Sequence, residues 1–108
     1  MTDEQAQKAI DFIRDNASKY AEAKGNRVYI ENYLKSKKAT LMAEEAGTLG
    51  AKEMYAYAHP QYVELLVGLQ SAVQIEETIK WEMEAAKLRF EHYKTISFNT
   101  RVEARAMS

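Results

Sequence analysis

Leu65, Leu69, Ala72, Glu76, Ile79, Met83, Ala86, Phe90 and Tyr93 stand at alternating spacings of four and three residues. This is the period of one face of an α-helix, held over four heptads with Glu76 as its only polar member. A strand would alternate every two residues, so the stripe commits the second half of the chain to a helix that packs on another helix. Leu66, Val73 and Ile75 widen the apolar band near its start.

The partner is found upstream. Ala6, Ile10, Ile13, Ala17 and Tyr20 form a similar stripe, after which the best continuation is Ala23, Arg27, Ile30, Leu34, Lys37 and Leu41. The step from Tyr20 to Ala23 breaks the alternation, so a slip in phase is expected there. It falls beside Gly25-Asn26, the weakest helix formers in this arm, and a kink near Gly25 is expected. Thr2 and Gln5 match a capping box, and Asp3 and Glu4 put negative charge at the positive helix end. One long helix is predicted over about residues 3–46.

Between the arms lies the only proline of the chain, in Tyr55-Ala56-Tyr57-Ala58-His59-Pro60-Gln61-Tyr62. A proline pushes the preceding residue out of the helical region and is well placed at the first position of a new helix. Gly47 suits a left-handed cap, and Thr48-Leu49-Gly50 a connector. The sequence therefore predicts a short helix over about 51–58 and a second long helix over about 60–96. Helix propensity fades at Thr95-Ile96-Ser97-Phe98-Asn99-Thr100, which predicts a frayed tail over 97–108.

Charge supports antiparallel arms. Residues 19–38 hold six basic and two acidic side chains, a net of +4, and residues 64–84 hold five acidic and one basic, a net of −4. Single exposed pairs are worth only ~0–1 kcal/mol, but a matched pattern selects orientation. The expected fold is all-α: a single helical domain over 1–108, built as an antiparallel hairpin of two long helices with a short helix at the bend. Two helices cannot enclose a core. Val67, Trp81 and Leu88 recur by sevens on the face opposite the stripe, and Tyr29 and Tyr33 form a further pair. Exposed residues of this kind call for a covering helix. Self-association into a larger bundle is the preferred cover; the short middle helix, the tail or a foreign protein are the alternatives.

Composition narrows the function. The 108 residues contain no cysteine, which removes disulfides, thiolate metal sites and thiol nucleophiles. With a formal charge of −1, the whole chain is no polycation. The apolar run Tyr62 to Leu69 is far shorter than the ~20 residues of a membrane helix, and the acidic start is no signal peptide. A cytoplasmic protein is expected. The histidines, His59 and His92, are preceded at three residues by Ala56 and Arg89, so the Glu-x-x-His pairs of a carboxylate-bridged metal bundle are absent. His59 reads as a turn residue whose ring covers a helix end. Glu76 reads as the partner of a base in the first arm, with Arg27 the first choice. No phosphate loop, nucleophile elbow or zinc spacing occurs, so no catalytic residue, metal or cofactor is expected, and no enzyme. Lys35, Lys37 and Lys38 near the tyrosines, with Arg101 and Arg105 in the tail, are the candidate contacts for nucleic acid. Direct DNA binding is the less favoured reading, because the acidic strip of the second arm faces the same lysines.

Three segments carry a resemblance: Ala56-Tyr57-Ala58-His59-Pro60-Gln61-Tyr62-Val63-Glu64-Leu65-Leu66, Lys80-Trp81, and Glu84-Ala85-Ala86-Lys87-Leu88-Arg89-Phe90-Glu91, with a looser likeness through Val28-Tyr29-Ile30-Glu31. In these the chain resembles a family of small helical proteins encoded by tailed phages and prophages. The resemblance implies an early-expressed phage protein, in a bacterial host cytoplasm, that serves DNA replication or recombination by binding a phage or host protein. It brings no catalytic residues. Lys94-Thr95-Ile96-Ser97-Phe98 departs from the Trp-Arg-Thr-like segment expected of such proteins.

Overall fold

The computed structural model describes residues 2–107; Met1 and Ser108 lie outside the described residues. It is 94% helical. Among the described residues there are three helices and no strand: α1, Asp3–Glu44; α2, Leu49–Ala58; and α3, Pro60–Met107. The residues group into two compact units. A connector unit spans Ala21–Glu77, and a terminal unit combines Met1–Tyr20 with Thr78–Ser108.

In the connector unit the buried apolar residues are Ala23, Leu34, Leu41, Ala56 and Ala72, and Leu41 is the largest fully buried side chain. α2 starts where Thr48, in an extended conformation, accepts a 3.2 Å hydrogen bond from the Ala51 amide through its hydroxyl. That satisfies one of the orphan donors of the first turn. Gly47, at φ 121°, turns the chain ahead of it. α2 stops at His59, whose ψ of 133° is extended, as expected for a residue before proline. Pro60 then opens α3, and His59 caps it: its Nδ1 accepts from the Gln61 amide at 3.1 Å, and its carbonyl accepts from Tyr62 and Val63. The ring of His59 thus covers a helix end.

Glu76 is buried on the α3 seam and is held by Arg27 of α1. The guanidinium donates from both Nε and Nη2 to the two carboxylate oxygens, while its Nη1 donates to Glu31 at 2.9 Å. Hydrogen bonding to Glu76 first, and to Glu31 second, holds Arg27 protonated more firmly than an ordinary arginine. A buried carboxylate without such a partner would carry its desolvation cost uncompensated. Farther along α1, Lys38 meets α2: its Nζ lies 4.6 Å from the centre of the Tyr57 ring and 4.0 Å from Glu53.

The terminal unit begins with a closed capping box. The Thr2 amide donates to Gln5 Oε1 at 2.9 Å, and the Gln5 amide donates to Thr2 Oγ1 at 3.2 Å. Its buried apolar residues are Ala6, Ala9 and Ala86, while Ile13, Tyr20, Ile79, Met83, Phe90 and Tyr93 are half-buried around them.

Two expectations are corrected here. The inward residues of α1 are Ala6, Ala9, Ile13, Asn16 and Tyr20, followed by Ala23, Arg27, Ile30, Leu34, Lys37 and Leu41. Steps of three and four alternate throughout, so there is no phase slip, and α1 is one helix through Gly25. Ile10 and Ala17, expected on the seam, are exposed, Ile10 at 37%. Asn16 tolerates its inward position because its Nδ2 donates to the Phe12 carbonyl of its own helix at 2.8 Å. The second correction concerns the tail, which is helical through Met107 rather than frayed from 97. Thr95 and Thr100 turn their hydroxyls back onto the Glu91 and Ile96 carbonyls, so they remain in the helix with satisfied polar groups.

Candidate interaction surface

The five apolar residues predicted to form an interface are all exposed. Val67, Trp81 and Leu88 project from α3 with about three-fifths of their surface open (58%, 62% and 62%). Tyr29 is 68% exposed and stacks on Tyr33, with ring centres 6.1 Å apart and planes 17° from parallel. Val67, Tyr29 and Tyr33 belong to the connector unit, Trp81 and Leu88 to the terminal unit. The Lys80 ammonium lies 5.4 Å from the centre of the Trp81 ring, a cation–π contact.

Within the connector unit an open hollow of about 310 Å³ lies between α1 and α3, lined by Ala23, Tyr29, Ile30, Gly68, Ala72 and Ile75. Asn26 and Ser71 complete the lining, and the walls are mainly apolar, which suits an inserted apolar side chain better than a charged substrate. A second hollow of about 440 Å³ brings Lys35 and Lys38 together with Tyr57 and Tyr62, whose rings meet edge to face at 5.4 Å.

The candidate nucleic-acid contacts separate into two sets. Lys35, Lys37 and Lys38 lie in the connector unit, and Arg101 and Arg105 in the terminal unit. Lys37 occupies an inward position and is half-buried. Lys38 is engaged by Glu53 and Tyr57, and its pKa is raised above the usual lysine value, first by a hydrogen bond to the Tyr57 side chain. Lys35 and Arg101 are exposed and make no ion pair among the described residues. Arg105 is exposed near the end of α3.

Among the described residues, no three or more His, Asp or Glu side chains are grouped to hold a metal ion. No buried side-chain nitrogen or oxygen among them lacks a hydrogen-bond partner. No helix among them is long and apolar enough to cross a membrane.

Reading α3 by sevens finds Val67, Trp81 and Leu88 but misses what stands between them. Thr78 and Ala85 and, beyond Leu88, His92 and Thr95 share the same outward face; each is exposed, and none is a carboxylate, lysine or arginine. The missing charge was the available signal. In a chain with 29% charged residues, an outward helical stripe without one is as informative as an apolar one.

No protein-family model, curated protein or solved structure matches this chain.

Proposed function

We propose that this is a non-enzymatic helical interaction protein that self-associates. In this reading α1 and α3 are the arms of an antiparallel hairpin, and hairpins assemble into a larger bundle. One observation carries it: among the described residues, six of the eight buried apolar ones are alanines, whereas Trp81 and Leu88 stand exposed. A buried alanine methyl contributes about 0.8 kcal/mol, against roughly 1.5–3 kcal/mol for a large side chain. Large apolar side chains are thus left on the outer face of α3, where a partner helix would cover them. The likeness to phage-encoded helical proteins supports a service in phage DNA replication or recombination, exerted through protein–protein contacts in the host cytoplasm. Sedimentation across the micromolar range tests the assembly: a concentration-dependent oligomer is expected, and a stable monomer throughout overturns the reading.

Direct DNA binding is the second reading, and the exposed Lys35 and Arg101 favour it. Fluorescence anisotropy with labelled single- and double-stranded DNA tests it. A salt-dependent rise lost on Arg101→Ala with Arg105→Ala would promote it, and no binding at low salt would dismiss it.

A further inference from the structure

In the terminal unit α3 carries two stripes. One is the inward seam of Ile79, Met83, Ala86, Phe90 and Tyr93. Opposite it stand Thr78, Trp81, Ala85, Leu88, His92 and Thr95, at steps of three, four, three, four and three. All six are exposed, and none is a carboxylate, lysine or arginine. This is the spacing with which one helix interlocks with another.

The stripe has a symmetry that the inward seam lacks. About the midpoint between Ala86 and Lys87, Thr78 mirrors Thr95, Trp81 mirrors His92 and Ala85 mirrors Leu88. Hydroxyl thus meets hydroxyl, ring meets ring, and small meets large. Glu82 and Arg89, on one flank, are related by nearly the same midpoint. Seven residues separate them, about 10.5 Å along the helix, too far to pair with each other. Neither makes an ion pair among the described residues.

We propose that a second copy of this chain docks on this stripe, α3 against α3, antiparallel about a two-fold axis. The proposal rests on the self-association reading and gives it a geometry. An isologous interface must be self-complementary, so that whatever residue i touches is touched in return by its own counterpart. The stripe meets this condition in every layer. Trp81 packs on the partner's His92, and Ala85 receives the partner's Leu88. Glu82 of each copy reaches the partner's Arg89, giving two ion pairs that the single chain cannot form. On the other flank Glu84 and Glu91 face their own kind, and each has lysines of its own helix, Lys80, Lys87 or Lys94, at three or four residues to offset the repulsion. A parallel pairing would set Trp81 on Trp81 and Ala85 on Ala85, crowding one layer and leaving a void in the next.

Charge reversal tests the geometry on the full chain. The single tryptophan lies in the stripe, so dimerisation reads out as a blue shift of its emission alongside sedimentation. Glu82→Arg and Arg89→Glu should each weaken the dimer on the order of tenfold. The two together should restore it to within a few-fold of wild type, with helicity unchanged in all three variants. Because the chain has no cysteine, a mixture of Ala85→Cys and Leu88→Cys proteins should also crosslink to the mixed dimer in preference to either homodimer. A wild-type monomer across the micromolar range overturns both the self-association reading and this interface. An oligomer indifferent to the single reversals, or not rescued by the double one, overturns this interface and leaves self-association standing.

Discussion

The connector and terminal units are built from the same two long helices, yet they are closed in different ways. The connector unit has a third element, α2, whose Ala56 is wholly buried, and it encloses Leu34 and Leu41. It also holds a buried carboxylate, Glu76, which Arg27 satisfies on both oxygens. The terminal unit has no such third element. Among its described residues the buried apolar ones are Ala6, Ala9 and Ala86, and its largest side chains are half-buried or, as with Trp81, Leu88 and Phe98, mostly exposed. Alanine seams let helix backbones approach closely but remove little apolar area from water. Large apolar side chains stand exposed in both units, among them Tyr29, Leu49, Met54 and Val67 in the connector unit, so the two differ in what they enclose rather than in what they expose.

The strongest way to break this comparison is to empty the connector core. Leu41 is 1% exposed, so Leu41→Ala should cost about 2–4 kcal/mol. Urea unfolding checks the loss, and native-state hydrogen exchange checks its place. The connector amides should be the more protected in dilute wild-type protein and should lose that lead in the variant. Equal protection of both units in dilute wild-type protein would mean that the connector unit is no better closed than the terminal one.

Much of this was legible in the residues. Every position of the α3 stripe from Leu65 to Tyr93 turned out inward, because large apolar residues at helical spacing have one consistent reading. The Thr2–Gln5 box, the Pro60 start, the His59 cap and the Arg27–Glu76 pair were readable for the same reason: each is a local rule with one partner in reach. The terminal half of α1 was not. There the choice lay between Ile10 and Ala9, and between Ala17 and Asn16, and hydrophobicity favoured the wrong residue each time. Close packing selected the small Ala9, and Asn16 could turn its amide onto its own helix. The tail failed for a related reason. Propensity counts Thr95 and Thr100 against a helix, and it does not see the backbone carbonyls that take up their hydroxyls.

A smaller effect should widen the gap between the units. Gly25 lies inside α1, in the connector unit, with helical neighbours on both sides and nothing within 4 Å of where a Cβ would sit. Gly25→Ala should stabilise that unit by roughly 0.5–1 kcal/mol through reduced freedom of the unfolded chain. Thermal or urea unfolding measures it. A destabilisation would overturn the expectation that a methyl group fits at this position without strain.

The smallest expected effect is one of pH, and it too belongs to the connector unit. Lys38 has its pKa raised above 10.5, chiefly by its hydrogen bond to Tyr57 and against the opposing effect of burial. Tyr55 has its phenol raised above 10.0, first by desolvation and then by the nearby Glu44, which accepts from its hydroxyl at 3.4 Å. In both cases folding favours the protonated form. The stability they contribute is therefore complete below the unfolded-state values and is lost as pH rises through the higher folded-state ones. Urea midpoints should be insensitive to these groups near neutrality and should fall once the pH passes about 10. Lys38→Met with Tyr55→Phe should flatten that fall, because neither replacement titrates. An alkaline slope unchanged by the pair would place the titrating groups elsewhere and remove Lys38 and Tyr55 from what distinguishes the connector unit.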